Sequence, residues 1–146
     1  MRDRLTKERR SWNMSRIRGK DTTPERRVRS MLHGMGYRFR LHRKDLPGKP
    51  DIVFVSRRVV LFVHGCFWHR HRGCKNCTTP TNNREFWTEK LEGNAARDKT
   101  NRLALSKLGW SSFVIWECET EDPRKLDNLV NRFVRRFTRK HEAPDQ

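Results

Sequence analysis

Between His64 and Cys77 the chain packs three histidines (His64, His69, His71) and three cysteines (Cys66, Cys74, Cys77) into 14 residues. Thiolate and imidazole are the donors zinc takes, four at a time in a tetrahedron, and Cys74-x-x-Cys77 has the spacing of a metal knuckle. Cys66, His71, Cys74 and Cys77 make a complete set by themselves. Cys118, just beyond a predicted strand, is a rival for the fourth place. Any one of these cysteines alone reads as a small buried hydrophobe, but the cluster reads as zinc. Either ligand set leaves His64 and His69 uncommitted.

A second constellation involves those two histidines. Asp51 follows Pro50 and opens an apolar run, and the next apolar run leads to His64, so a hairpin would bring Asp51 and His64 together. A carboxylate at a strand end suits magnesium, which binds one or two carboxylates and keeps several waters. His64 and His69, titrating near neutrality, would then serve the attacking water or the leaving group. Taken alone, an aspartate after proline is a turn residue. Phe67 and Trp68 lie in the same polar loop. Two adjacent rings cannot both enter one core face, so one is expected to be exposed. Such a ring either covers the zinc site or stacks on nucleic-acid bases, and Trp87 is a weaker candidate of the same kind.

The elements that must position these groups follow from periodicity and punctuation. Thr22, Thr23, Pro24 and Glu25 form a helix start, and Val28, Met31, Leu32 and Met35 keep helical spacing until Gly34 and Gly36. Tyr37 to His42 alternates as a half-exposed strand does, and Leu46 to Pro50 is turn material. Ile52–Val55 and Val59–Val63 predict a buried hairpin. Glu85–Lys107 predicts a helix with a weak point at Gly93, and Ser112–Trp116 another strand. Pro123 opens a last helix whose stripe is Leu126, Leu129, Val130, Phe133, Val134 and Phe137. Trp12, Trp110 and Trp116 read as packing residues. The pattern is α/β, a central mixed sheet flanked by helices. Residues 1–20 read as a basic arm, 21–138 as one folded domain and 139–146 as a polar tail.

Composition narrows the partner. The chain has 146 residues, with 34 Lys and Arg against 17 Asp and Glu, a net charge of +17. Five Trp and eight Phe give it a core, which polybasic tails lack. No apolar run approaches the roughly 20 residues that cross a bilayer, and the charged N-terminus has no secretion signal, so an intracellular, reducing compartment is expected. The excess of positive charge calls for nucleic acid. Phosphate contacts are expected from Arg9, Arg10, Arg16, Arg18 and Lys20 in the arm, and from Lys90, Arg97 and Lys99 on the long helix; Arg135, Arg136, Arg139 and Lys140 read equally as a solvated face. Affinity should fall with salt, with a log–log slope of about −0.9 per duplex phosphate neutralised.

Along nearly its whole length the chain resembles the very short patch repair (Vsr) endonucleases. The resemblance rests on Asn13-Met14 with Ile17, Asp21-Thr22 with Glu25, Leu46-Pro-Gly-Lys-Pro-Asp51, His64-Gly-Cys-Phe-Trp-His69, Glu85-Phe-Trp87 with Lys90 and Asn94, and Gly109-Trp110 leading to Trp116-Glu-Cys118. It implies a restriction-endonuclease-like fold with a structural zinc site. The implied activity is a magnesium-dependent nick on the 5′ side of the T in a T:G mismatch, the lesion left when 5-methylcytosine deaminates. Carried over, Asp51 and the backbone carbonyl of Val63 hold magnesium, His64 and His69 are catalytic, and Glu25 supports them. The zinc ligands become Cys66, His71, Cys74 and Cys118, although one extra loop residue precedes Cys74 and Cys77 is additional. Phe67, Trp68 and Trp87 become an intercalating wedge, Met14 enters from the minor groove, and Lys90 and Asn94 read the wobble pair. The resemblance also implies double-stranded DNA as partner, a functional link to a cytosine-5 methyltransferase and to other mismatch-repair proteins, and a bacterial cytoplasm at the nucleoid. A monomer fits an asymmetric lesion.

Overall fold

The computed structural model describes residues 22–140, with side chains through residue 136. The expectations for Met14, Asn13, Ile17, Trp12, Asp21 and the arm, for the tail, and for the side chains of Phe137, Arg139 and Lys140 lie outside these.

Helix α1, Thr23–Gly34, begins where Thr22 adopts an extended backbone and its hydroxyl accepts the Glu25 N–H at 3.4 Å, with Pro24 in the first turn. It buries Val28 and Leu32. Strands β1 (Arg40–Leu41), β2 (Ile52–Phe54) and β3 (Val59–His64) follow, then helix α2 (Arg84–Lys107), strand β4 (Ser111–Trp116), a 3-10 turn (Glu117–Thr120) and helix α3 (Pro123–Lys140). The sheet order is β1-β2-β3-β4, antiparallel across the first three strands and parallel between β3 and β4.

The two apolar runs of the predicted hairpin do pair, Ile52 opposite Leu61 and Phe54 opposite Val59. Every residue of β3 is buried, because it lies between β2 and β4 and has helices over both faces. One face holds Ile52, Phe54, Leu61 and Ile115 against Val28 and Leu32 of α1 and Leu126, Val130 and Phe133 of α3. The other holds Val53, Val60 and Phe62 against Leu105 of α2. A strand covered on both sides reads as a continuous apolar run, which is how β3 stands in the sequence.

Three expectations are corrected. The strand expected over Tyr37–His42 contracts to Arg40–Leu41. Tyr37 and Phe39 instead turn their rings onto Phe54, with centroids 6.4 and 5.8 Å away, and ring packing replaces strand pairing there. Val55, expected in the buried hairpin, is 48% exposed because the reversal begins at it, with Arg58 at a positive φ donating its N–H to the Val55 carbonyl. Phe67 and Trp68 are both half-buried; neither stands free, since each packs on the other and on Trp87. Helix α2 runs unbroken through Gly93. No described helix is long and apolar enough to cross a membrane.

Candidate active site and metal centre

The β2–β3 register sets the first half of the site. Asp51 immediately precedes β2, and its Oδ2 accepts the backbone N–H of Val63 at 2.7 Å, so the carboxylate is tied to the neighbouring strand one residue before His64. Glu25, 2% exposed on α1, lies beside it. Burial, with Glu25 adding like charge, pushes the Asp51 carboxyl up to about 7, against the pull of the Val63 N–H. His42 completes this corner. Its Nε2 is 2.9 Å from Glu25 Oε2 and its backbone N–H donates to the Asp51 carbonyl at 3.1 Å.

The second half is a stack of imidazoles. His64, at the end of β3, lies parallel to His69 with ring centroids 3.9 Å apart. Burial and the neighbouring His69 push His64 down to about 3, so it is neutral throughout the physiological range. His69 Nδ1 is 2.6 Å from Asp98 Oδ2, a carboxylate supplied by the middle of α2. Asn94, one turn earlier, donates to the Trp68 carbonyl at 3.1 Å and fixes the loop that carries His69. A cavity of about 670 Å³ takes in both halves: Glu25, Asp51, His64, His69, Asp98 and Trp68 line it. Sequence reading missed His42 and Asp98.

The expected zinc ligands converge, and Cys118 is the fourth member of the group. Ligand atoms of Cys66, His71, Cys74 and Cys118 all lie within 4.8 Å of one another, and Cys77 is not among them. Parallel pairing explains this: His64 of β3 is opposite Trp116 of β4, so the residues that follow each strand, Cys66 and Cys118, emerge side by side. His71 Nδ1 is 3.5 Å from the sulfurs of both Cys66 and Cys118. A tetrahedral zinc with bonds of about 2.3 Å to sulfur and about 2.0–2.1 Å to nitrogen has sulfur–nitrogen edges of about 3.5 Å, so the group fits that ion. Burial pushes the Cys66 thiol up to about 12 and also raises Cys118, whereas Cys74 is lowered by the Asn76 N–H that reaches its sulfur. A cation there would draw off these protons and satisfy the thiolates. Trp116 joins the centres, stacked on His71 at 4.2 Å and edge-on to His64 at 5.3 Å.

Phe67, Trp68 and Trp87 form one aromatic cluster, with centroids 5.0 to 6.1 Å apart, and Phe67 and Trp68 also line the cavity. Along α2 the exposed residues Lys90, Arg97, Lys99 and Arg102 add positive charge beside it. This is a catalytic-type cleft with a cation-attracting acidic corner, a histidine–carboxylate pair, flat aromatic surface and a basic flank.

Comparison with known proteins accords with this chemistry. The profile of the family described as DNA mismatch endonuclease Vsr matches residues 2–76. The chain is 57% identical over 134 residues to the type II nicking enzyme V.XorIIP of Xanthomonas oryzae pv. oryzae, covering 92% of this chain and 98% of that protein. It is 41% identical to the type II nicking enzyme V.NmeAIP of Neisseria meningitidis, over 92% of this chain and 96% of the relative. It is 42% identical to the DNA mismatch endonuclease Vsr of Escherichia coli, over 86% of this chain and 80% of the relative.

Proposed function

Because the chain belongs to the Vsr family of DNA mismatch endonucleases, we propose that it nicks one strand of double-stranded DNA on the 5′ side of the T in a T:G mismatch, in a magnesium-dependent reaction. The observation that carries this reading is the shared cavity, where Asp51 and Glu25 face the His64–His69–Asp98 stack and the aromatic cluster borders both. The fold reading that accompanies it is restriction-endonuclease-like, supported by a mixed sheet with its catalytic acid at a strand end.

The residues fit the ion. A buried carboxylate held beside a second carboxylate is a repulsive arrangement that a divalent cation relieves. Asp51 and the Val63 carbonyl would hold magnesium, which supplies charge stabilisation at the phosphate and lowers the pKa of water. His69, oriented through Nδ1 by Asp98, takes the proton from the attacking water. His64, kept neutral, offers an N–H to the phosphate undergoing substitution. Phe67, Trp68 and Trp87 enter the stack beside the mismatch, Met14 reaches it from the arm, and Lys90 and Asn94 read the wobble pair. Cys66, His71, Cys74 and Cys118 hold structural zinc. The protein acts as a monomer on bacterial DNA in the cytoplasm, following a cytosine-5 methyltransferase and alongside other mismatch-repair proteins.

The experiment is strand-specific cleavage of end-labelled duplexes carrying T:G, T:A or C:G at one position, with or without magnesium. Nicking of the T strand in the T:G duplex alone, and only with magnesium, is the expected result. Tight, salt-sensitive binding without cleavage would instead make this a zinc-stabilised DNA-binding module. Within the active protein, Asp98→Asn should slow single-turnover nicking by about 10²-fold or more, because an amide no longer holds the productive histidine tautomer. Its melting temperature should change little, since asparagine has the same shape and the Asp98 side chain, 22% exposed, faces the cavity and not the apolar core.

A further inference from the structure

The acidic corner is not made of oxygen alone. Ligand atoms of Glu25, His42 and Asp51 all lie within 4.8 Å of one another. Two ligands at right angles around a metal with bonds of about 2.1 Å are about 3.0 Å apart, as edges of an octahedron. His42 Nε2 and Glu25 Oε2, at 2.9 Å, already have that spacing. The imidazole is also held in place. His42 sits at a positive φ of 51°, its N–H bonds the carbonyl of Asp51, and its side chain is 19% exposed. The three groups come from α1, the loop after β1 and the entry to β2, so the fold assembles this set and no local spacing in the sequence does.

We propose that His42, together with Glu25 and Asp51, makes the metal site of this chain a mixed nitrogen–oxygen site that binds manganese(II) more tightly than magnesium. Magnesium is a hard ion that keeps to oxygen donors, whereas manganese shares its octahedral habit but, as a transition metal, also accepts imidazole. The inference rests on the reading of Asp51 as a metal carboxylate and adds a ligand and a preference to it. Magnesium remains able to serve through the carboxylates and the Val63 carbonyl; manganese gains one more bond.

The test uses the full-length, zinc-loaded protein without DNA, titrated with manganese(II) and followed by electron paramagnetic resonance, with magnesium as competitor. The expected result is a site at least about 10-fold tighter for manganese than for magnesium, whose echo modulation shows coupling to an imidazole nitrogen. His42→Asn removes the ring and keeps a residue type that tolerates positive φ. It should abolish that coupling and weaken manganese about 10-fold while moving the magnesium affinity less than about 3-fold. The wild-type spectrum is decisive even if the variant does not fold: bound manganese without nitrogen coupling overturns the proposal. So does a folded His42→Asn protein that keeps the coupling, because His64 or His69 would then be its source. Asp51→Asn separates the two levels. If it abolishes manganese binding while His42→Asn changes nothing, the Asp51 site stands and the His42 ligand falls. If Asp51→Asn binds manganese as the wild type does, the Asp51 reading fails and the inference with it.

Discussion

Asp51→Asn should abolish nicking, by at least about 10³-fold, and at the same time make the protein more stable above neutral pH. The two effects have one cause. Burial, with Glu25 alongside, pushes the folded-state carboxyl up to about 7, whereas the unfolded chain titrates near the ordinary carboxylate value of about 3.9. As pH rises from about 4 to 7 the unfolded chain gives up a proton that the folded protein retains, so stability is lost across that window and stays lower above it. A raised carboxylate pKa therefore contributes fully only below about 4. Removing the charge should recover about 2–4 kcal/mol at pH 8 in buffer without added divalent ions, and almost nothing at pH 3.5. Asparagine keeps the shape and an oxygen for the Val63 N–H. Thermal melts at the two pH values, beside a nicking assay and a binding assay on the T:G duplex, check all of this. Mismatch binding should remain measurable. A variant that nicked at the wild-type rate would remove Asp51 from the reaction.

Stripping zinc should unfold the protein outright. A structural zinc of this ligand type is worth about 10 kcal/mol or more near neutrality, comparable with the whole stability of a domain this size. Cys118→Ser should lose the bound zinc and with it the cooperative melt, since its sulfur, 3.5 Å from His71 Nδ1, ties the end of β4 to the loop after β3. Cys77→Ser should retain zinc and stay within about 1 kcal/mol of the wild type, because Cys77 is outside the ligand group. Zinc stoichiometry and melting curves on the two variants decide it. Reversed behaviour of the pair would hand the fourth position to the Cys74-x-x-Cys77 knuckle. Zinc removal that left melting unchanged would dismiss a structural metal.

What the sequence showed of this architecture depends on range. The helix start at Thr22, the proline that opens α3 and the paired apolar runs before His64 are local signals, and the structure keeps each of them. The hairpin register then brings Asp51 to Val63, close to where the apolar runs alone place it. His42 and Asp98 carried no such mark. One is a histidine in a basic loop and the other an aspartate on a helix crowded with charge, and their partners Glu25 and His69 are 17 and 29 residues away. The fourth member of the cysteine–histidine group was obscure for the same reason. Residue spacing favours Cys77, three positions from Cys74, but the parallel partnership of β3 and β4 brings Cys118 to Cys66 across the fold. At Tyr37 and Phe39 alternation read as pairing what the fold uses as ring contacts.

The parallel partnership has a consequence for biosynthesis. Asp51, His64 and His69 leave the ribosome well before Trp116, which packs edge-on with His64, and Cys118, which meets Cys66. Cys66 and Cys118 are separated by 118 − 66 = 52 positions. At about 5–20 residues per second, the nascent chain waits roughly 3–10 s between making these groups and receiving the strand and the thiol that fix them. During translation the two histidines therefore exist without the scaffold that aligns them until β4 and Cys118 have followed.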